Sequence, residues 1–136
     1  MHTMKKYLIL LTAMLLSVCG CKKAALPAVT LSSDQSEVSV TSYSSAILFT
    51  LSWELSGGSA AIGQTYVQFC TDKEFVSPYV LKSSGNSFVV TGKDLKKIQE
   101  TFGVLEDYEL IVRLLVEGEN VPSVYSNKVR INVDIP

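Results

Sequence analysis

Hydrophobic and polar positions follow two different patterns along the chain. The run Tyr7 to Val18, "YLILLTAMLLSV", is apolar apart from Thr12 and Ser17. From Val29 onward, apolar residues alternate with polar ones. A period of two is typical of strands that bury one face and expose the other. The pattern therefore predicts a short apolar N-terminal segment followed by a β-sheet domain.

The alternating part divides into seven or so predicted strands. Turn residues separate them, as in Ser56-Gly57-Gly58 and Gly85-Asn86. Short strands at this spacing predict a single antiparallel β-sandwich over residues 29–136, of the fibronectin type III or immunoglobulin-like kind. The predicted strands are "EVSVT", "AILFTLSW", "TYVQFCT", "YVLKS", "SFVVT", "YELIVRLLV" and "VYSNKVRINVDI".

One segment, "TGKDLKKIQETFG", has a helical rather than a strand period, because its apolar residues are three and four positions apart. Thr91 and Asp94 have the spacing of a capping box, and Gly103 can end a helix in the left-handed conformation. We expect a short helix of two to three turns before the sixth strand, crossing from one sheet to the other. An irregular loop is the alternative.

The phases of these segments predict the core. A sandwich of about 108 residues buries enough apolar surface to fold without disulfides. The predicted core residues are Ile47, Phe49, Leu51, Trp53, Val67, Phe69, Phe88, Val90, Leu95, Ile98, Leu110, Val112, Leu114, Val129, Ile131 and Val133.

The N-terminal apolar run reads as a secretory signal peptide. Its 12 residues would span about 18 Å as a helix, whereas a bilayer core needs about 20 apolar residues. Lys5 and Lys6 precede the run and small residues follow it. A buried N-terminal helix is the alternative, but the run has no polar face.

The stretch that follows, "VCGC", resembles the lipobox of bacterial lipoproteins. Val18, Gly20 and Cys21 fit its aliphatic, small and acylated positions, whereas the frame "LSVC" would put bulky Val18 before the cleaved bond. The resemblance implies a signal peptide over 1–20, lipid attachment at Cys21 and a tether over 21–28. Two or three acyl chains, at ~0.8 kcal/mol per buried methylene, would anchor the protein firmly. A disulfide-forming or zinc-binding CxC is the alternative.

Composition excludes several classes of function for the chain after Gly20. It carries 10 basic and 13 acidic residues, a net charge of 10 − 13 = −3, so no basic surplus points to nucleic acid. It has no histidine, because the one histidine of the full sequence, His2, lies in the predicted signal peptide. Ser–His and Cys–His nucleophile pairs and histidine zinc sites are therefore excluded. Cys70 has no partner for an internal disulfide besides Cys21, and we expect an inert thiol near a strand end.

Several strands resemble those of fibronectin type III domains. "FTLSW" is similar to the second strand, which ends in a buried tryptophan, here Trp53. "YVQFCTDKEF" is similar to the third strand and its turn, with Phe75 expected to pack under that turn. "YELIVRLLV" opens with the corner tyrosine, Tyr108, whose hydroxyl would bond back to the crossing segment.

The order of these features resembles the N-terminal domain of SusE-like lipoproteins, which belong to the starch-utilisation systems of Bacteroidetes. The lipobox, the tether, "TLSW", "VQF", the helix, "VRLLVEG" and "YSNKVRINVDIP" carry the resemblance. It implies a lipid-anchored outer-membrane protein with envelope partners from a glycan-uptake system. In the family, this sandwich precedes oligosaccharide-binding domains, and none is found before Pro136. Lys22 and Lys23 replace the acidic residues expected of surface-exported members, so the membrane face stays open.

The candidate chemistry is sparse, and we expect no enzyme, no cofactor and no metal. The acidic groups Asp72/Glu74, Glu106/Asp107/Glu109 and Glu117/Glu119 could supply a carboxylate pair or calcium ligands. They fall at loop tips and strand ends, where charges are ordinary. Tyr43, Tyr66, Tyr79 and Tyr125 remain outside the predicted core. Tyr66, Tyr79 and Tyr125 are the candidate ligand-binding residues; the alternative is that they cover strand edges singly.

Two functions fit these features. The first is a non-enzymatic binding or spacer module of a glycan-uptake apparatus, with direct carbohydrate binding doubtful. The second is an adhesin or fibre subunit that assembles by strand addition. A complete last strand at "NVDIP" favours the first, and a missing or detachable edge strand favours the second.

The lipobox makes a direct prediction about the two N-terminal cysteines. Cys21→Ser is expected to abolish lipid attachment, whereas Cys19→Ser is tolerated, because Gly20 suits cleavage and Val18 does not. Incorporation of labelled palmitate into both variants measures this. Loss of label in the Cys19 variant, with label retained in the Cys21 variant, would show that the frame is wrong.

Overall fold

A computed structural model describes residues 24–136 as nine strands and one helix. The predicted signal peptide and Cys21 lie outside the described residues. The strands are β1 (Ala28–Ser33), β2 (Glu37–Ser39), β3 (Ile47–Ser56), β4 (Ile62–Cys70), β5 (Tyr79–Ser83), β6 (Ser87–Thr91), β7 (Tyr108–Gly118), β8 (Val121–Tyr125) and β9 (Val129–Asp134). The helix α1 (Gly92–Phe102) lies between β6 and β7.

The strands form a small and a large sheet. The small sheet has the order β1-β3-β6, and the large sheet has the order β2-β9-β7-β4-β5, with β8 paired to the last part of β7. All pairs are antiparallel except β2 with β9. The predicted β-sandwich with one short helix is therefore confirmed. The prediction of about seven strands missed β1 and treated β8 and β9 as one strand.

The residues between β8 and β9 form hydrogen bonds to both sheets. The Leu114 N–H donates to Ser126 Oγ at 2.8 Å, which holds the break against β7. The Leu31 N–H donates to Asn127 Oδ1 at 2.7 Å, and Asn127 Nδ2 donates to the Leu31 carbonyl at 3.0 Å. The Asn127 amide thus pairs with β1 as a strand would. Two long-range bonds tie the edge of the small sheet to the large one.

The core lies between the two sheets, largely as predicted. Thirteen of the sixteen predicted residues are buried, and Phe88 and Val129 are partly buried. Ile47 is wrong, because 62% of it is exposed. The pairing of β3 with β6 shifts register between Ile47 and Phe49, which breaks the alternation there. Further core residues come from β1, from β2 and its surroundings, and from β7: Val29, Leu31, Val38, Val40 and Val116.

The helix is confirmed, with both of its predicted ends. The Asp94 N–H donates to Thr91 Oγ1 at 3.3 Å, and the Thr91 N–H donates to Asp94 Oδ2 at 2.9 Å. These reciprocal bonds are a capping box. Gly103 ends the helix with φ 65°, a conformation that glycine adopts without steric cost. Leu95 and Ile98 are fully buried, so α1 closes the core as it crosses between the sheets.

Tyr108 connects the start of β7 to α1. Its hydroxyl donates to Gln99 Oε1 at 3.2 Å, and Gln99 Nε2 donates to the Tyr43 hydroxyl at 2.8 Å. Gln99 is buried, with 6% of its surface exposed. The predicted bond from the corner tyrosine to the crossing segment is therefore present. Burial raises the pKa of Tyr108 above its usual value.

Trp53 is expected to contribute much of the fold's stability. It is 4% exposed and belongs to the main core. Trp53→Ala should lower the free energy of unfolding by about 3–5 kcal/mol, the usual range for a buried large aromatic. Denaturant unfolding followed by circular dichroism measures this, since Trp53 is the only tryptophan. Leu105→Ala is the control, because Leu105 is 88% exposed. Equal midpoints for both variants would contradict the assignment.

The raised pKa of Tyr108 predicts loss of stability in alkali. Below pH ~10 the tyrosine is protonated in both the folded and the unfolded state, so its contribution to the free energy of unfolding is fully present. As pH rises above ~10, the unfolded state loses the proton first and unfolding becomes more favourable, by up to about 1.4 kcal/mol per pH unit. Unfolding curves between pH 9 and 11, about one unit either side of the usual value, should show this decline. Tyr108→Phe should flatten it, and an unchanged slope would refute the assignment.

Candidate functional site

Two of the three candidate tyrosines lie together on the outer face of the large sheet. Tyr66 alternates with Val67, which is fully buried, so Tyr66 points away from the core. In the register of the sheet, Tyr66 is opposite Leu115, and Leu115 is opposite Tyr125. The three side chains therefore form one row across β4, β7 and β8.

The other tyrosines lie elsewhere. Tyr79 is opposite Phe69, which is fully buried, and its ring packs against that ring with a centroid distance of 6.4 Å. It therefore lies on the inner side of the sheet. Tyr43 accepts the hydrogen bond from Gln99 near α1. The structure does not bring these two rings together with Tyr66 and Tyr125.

Arg113 forms the centre of the exposed face. Its guanidinium carbon lies 4.3 Å from the ring centroid of Phe75 and 3.9 Å from that of Tyr125. Its Nε donates to Gln68 Oε1 at 2.8 Å, and Gln68 is itself 7% exposed. Two aromatic contacts and one charge-assisted bond thus hold the guanidinium in a fixed orientation. We call the surface made by Tyr66, Gln68, Arg113, Leu115 and Tyr125 the Arg113 face.

The turn after β4 places Phe75 beside this arginine. The Phe75 N–H donates to the Asp72 carbonyl at 3.4 Å, and the Glu74 N–H donates to Asp72 Oδ1 at 3.0 Å. Phe75 has a φ of 51°, which is uncommon for a residue other than glycine. The turn thereby folds the ring back over the sheet, where it is 5% exposed. Phe75 thus packs under its turn, as expected.

Phe75 covers a small second core on the outer side of the large sheet. Its buried members are Cys70, Phe75 and Ile111, and Phe102 of α1 packs against them. The Cys70 thiol is fully buried and donates to Asp72 Oδ2 at 3.2 Å. Burial raises the pKa of the Cys70 thiol, and the bond from that thiol lowers the pKa of Asp72. A buried, protonated thiol is a poor nucleophile, as the sequence analysis expected.

Few charged side chains of the described domain form ion pairs. In the part of the chain that the structure describes, the one ion pair joins Arg130 to Glu109, at 2.8 Å. Asp107 Oδ1 accepts the Ile135 N–H at 2.7 Å. Arg113 has no carboxylate within ion-pair distance among residues 24–136. Its terminal nitrogens therefore stay available for a partner.

The acidic groups considered for catalysis or calcium do not form one site, although Asp72 and Glu74 line a surface depression together with Glu109. Asp72 and Glu74 belong to the turn that covers Phe75, whereas Asp107 Oδ1 accepts a hydrogen bond from the residue after β9. Within residues 24–136, no group of three or more His, Cys, Asp or Glu side chains has the geometry to hold a metal ion.

The outer face of the small sheet is chemically different. It presents short polar side chains, with Ser32 opposite Ser52 and Ser52 opposite Ser87. Interface anchors are typically tyrosine, tryptophan and arginine, whereas serine is under-represented among them. The Arg113 face is therefore the better candidate for an interaction surface.

The sequence pattern singled out Phe75 and Tyr125 but not Arg113. The available signal was the strand "YELIVRLLV", in which Arg113 interrupts an apolar run at an outward position. That signal marks an exposed arginine. It does not reveal the stack, because Phe75 reaches Arg113 only through the turn after β4.

The fold and this surface define a β-sandwich module with an arginine-centred exposed face. The family model described as SusE outer membrane protein matches residues 22–115. The chain belongs to this family, as the resemblance implied. Membership supports an outer-membrane location and an association with glycan utilisation, and the family is an accessory type of protein rather than a known enzyme family. No curated protein and no solved structure matches the chain significantly.

The helix of the described domain, α1, has 11 residues. Between Ala24 and Pro136, no helix is both long enough and apolar enough to span a bilayer.

Proposed function

We propose that the protein is a lipid-anchored, non-enzymatic module of a glycan-uptake assembly at the outer membrane, and that its Arg113 face binds another envelope protein. Membership of the SusE family supports the location and the association with glycan uptake. Attachment is through Cys21, as the lipobox implies. The binding role rests on the Arg113 stack.

The contacts of Arg113 with Phe75, Tyr125 and Gln68 carry this proposal, because they resemble an interface hot spot whose side chain is already ordered in the unbound protein. Binding normally costs about 0.5–1.5 kcal/mol for each flexible side chain that becomes fixed. Here Phe75, Tyr125 and Gln68 already hold the Arg113 side chain in place. Around it, Tyr125 is 51% exposed and Val80 is 43% exposed. A partner can therefore bury apolar surface and bond to the guanidinium with little ordering cost.

A protein ligand fits this face better than an oligosaccharide does. Sugar platforms use free aromatic faces, because the ring packs on the C–H face of a pyranose. One face of the Tyr125 ring is covered by Arg113, and Tyr66 is partly buried. The neighbouring Leu115 and Val80 provide no donors or acceptors for sugar hydroxyls, although Lys82, opposite Tyr66, carries donors at the edge of the face. Apolar side chains around an arginine are typical of the centre of a protein interface.

Assembly by strand addition is the second candidate function. It predicts an incomplete or detachable last strand. In the structure, β9 pairs with β7 on one side and with β2 on the other. The complete last strand supports the first function. Strand addition would therefore have to use another edge strand, such as β5, which has a single partner, β4, among the described strands.

The binding role predicts that the two outer faces respond differently to mutation. Tyr125→Ala should weaken association with the partner by about 1–2 kcal/mol, roughly 5- to 30-fold, as for a hot-spot residue. Ser52→Ala on the small sheet is the matched control and should have no effect. Size analysis of mild detergent extracts from cells that express each variant measures the fraction of chain in a complex. Equal fractions for both variants would contradict the proposal.

The same proposal predicts little direct carbohydrate binding. Neutral oligosaccharides from starch, mannan and xylan should bind the full-length chain with a dissociation constant no tighter than about 1 mM, or roughly −4 kcal/mol. Isothermal titration calorimetry of the purified protein in detergent measures this. Saturable binding that is lost in Tyr66→Ala would make the protein a direct glycan binder. Tyr79→Ala serves as a comparison, because Tyr79 lies on the inner side.

A further inference from the structure

The segment before β1 is fastened to one end of the sandwich. The Ala25 carbonyl accepts hydrogen bonds from the Ser59 N–H at 2.8 Å and the Ala60 N–H at 3.0 Å. Leu26 packs against the main core, and Pro27 is buried. The described part of the expected tether therefore lies against the domain from Ala25 onward.

Two glycines make this close approach possible. A Cβ atom on Gly58 would lie 2.4 Å from the Pro27 nitrogen, and Gly58 has a φ of +80°. A Cβ atom on Gly118 would lie 2.6 Å from Leu26 Cδ2. A side chain at Gly58 would displace the segment, because it would meet the Pro27 backbone, whereas one at Gly118 would require the Leu26 side chain to move. The turns after β3 and β7 are thus built to receive it.

Chain length then limits how far this end can stand from the membrane. Only four residue steps separate Cys21 from Ala25, which span at most about 14 Å when fully extended. Strand β7 has 11 residues and is about 36 Å long, at ~3.3 Å per residue. If lipid is attached at Cys21, the fastened end must lie next to the bilayer. The opposite end lies about one strand length from the fastened end, so the orientation of the domain decides how far that end stands from the membrane.

The fastened end is also suited to a lipid surface. Its turns are formed by residues 56–62, 83–87 and 118–121, and we call these together the anchor end. Their sequences are "SGGSAAI", "SSGNS" and "GENV", so Glu119 is their single charged residue. Leu55 and Ile62 expose 44% and 39% of their surface there. The opposite end is charged, with Asp72, Lys73, Glu74, Glu106 and Asp107 in its connections.

We propose that the anchor end rests on the lipid headgroups, with the strands of the large sheet directed away from the membrane. The proposal rests on the Cys21 anchor of the proposed function. Few charges need to be desolvated at such a contact, and burial of Leu55 and Ile62 favours it. The Arg113 face then stands upright beside the membrane, where a neighbouring membrane protein can reach it.

Fluorescence quenching by labelled lipids tests this orientation. A fluorophore is attached to the full-length lipidated chain at Ser84→Cys in the anchor end, or at Glu106→Cys in the opposite end. Both positions are exposed, whereas Cys70 is buried and protected from labelling. The vesicles contain phosphatidylethanolamine, phosphatidylglycerol and a lipid with a nitroxide on its headgroup. We expect several-fold stronger quenching at position 84 than at position 106.

A flexible insertion provides the matched control. Ten glycine and serine residues between Lys23 and Ala24 leave the domain unchanged but lengthen the reach, by a root-mean-square distance of about 18 Å. The difference between the two positions should then decrease. Equal quenching in the chain of natural length, or stronger quenching at position 106, would overturn the orientation.

Flotation of the vesicles separates this inference from the proposed function. If the lipidated chain fails to float with the vesicles, the Cys21 anchor itself is wrong, and the orientation falls with it. If the chain floats and both positions are quenched equally, the anchor stands and only the orientation is wrong. The variant Cys21→Ser should not float, which shows that any flotation depends on the lipid.

Discussion

Packing between the two sheets is the interaction on which the rest of the structure depends. The described domain has no disulfide, and its single cysteine is a buried thiol. Stability must therefore come from apolar side chains that meet between the sheets, such as Phe49, Leu51 and Phe69, all of them almost completely buried. Since alternate residues of each strand are used in this way, the outward positions are free to carry function.

The two outer faces use this freedom differently. Short polar side chains, among them Ser32, Ser52 and Ser87, lie on the outer face of the small sheet, whereas the large sheet carries a stack in which Arg113 lies between two aromatic rings. The stack depends on the core in two ways. Pairing of β4 with β7 sets Gln68 opposite Arg113, and the turn after β4 brings Phe75 over them. Together with a fastened anchor end, this would give the module a defined direction in which to meet a partner.

The sequence predicted those features that depend on local periodicity. Alternation predicted the sandwich and most of the core, and the Thr91–Asp94 spacing with Gly103 predicted both helix ends. It did not predict β1, because "AVTLSS" directly follows the expected tether and overlaps its end. It placed Ile47 inside, because a shift in pairing register leaves no trace in the composition.

The candidate surface was less predictable than the fold, for a physical reason. Tyr66, Tyr79 and Tyr125 look equivalent in the sequence, and only strand register shows that Tyr79 points inward. The Arg113 stack joins residues from β7, β8 and the turn after β4, and that turn requires a positive φ at Phe75. Such a contact depends on tertiary structure. Gly58 and Gly118 are visible in the sequence, but only the structure shows that they leave room for the N-terminal segment.

Solvent accessibility in the native membrane tests the central claim, that the Arg113 face is an interface, most directly. A thiol-reactive reagent is applied to Val80→Cys, which lies opposite Gln68 beside the Arg113 stack, and to Ser52→Cys, in isolated outer membranes and in the purified full-length chain. Both side chains are exposed in the structure, and Cys70 is buried. The account predicts that position 80 reacts several times more slowly in membranes than in the purified chain, while position 52 reacts equally in both. Equal rates at position 80 in the two preparations would contradict it.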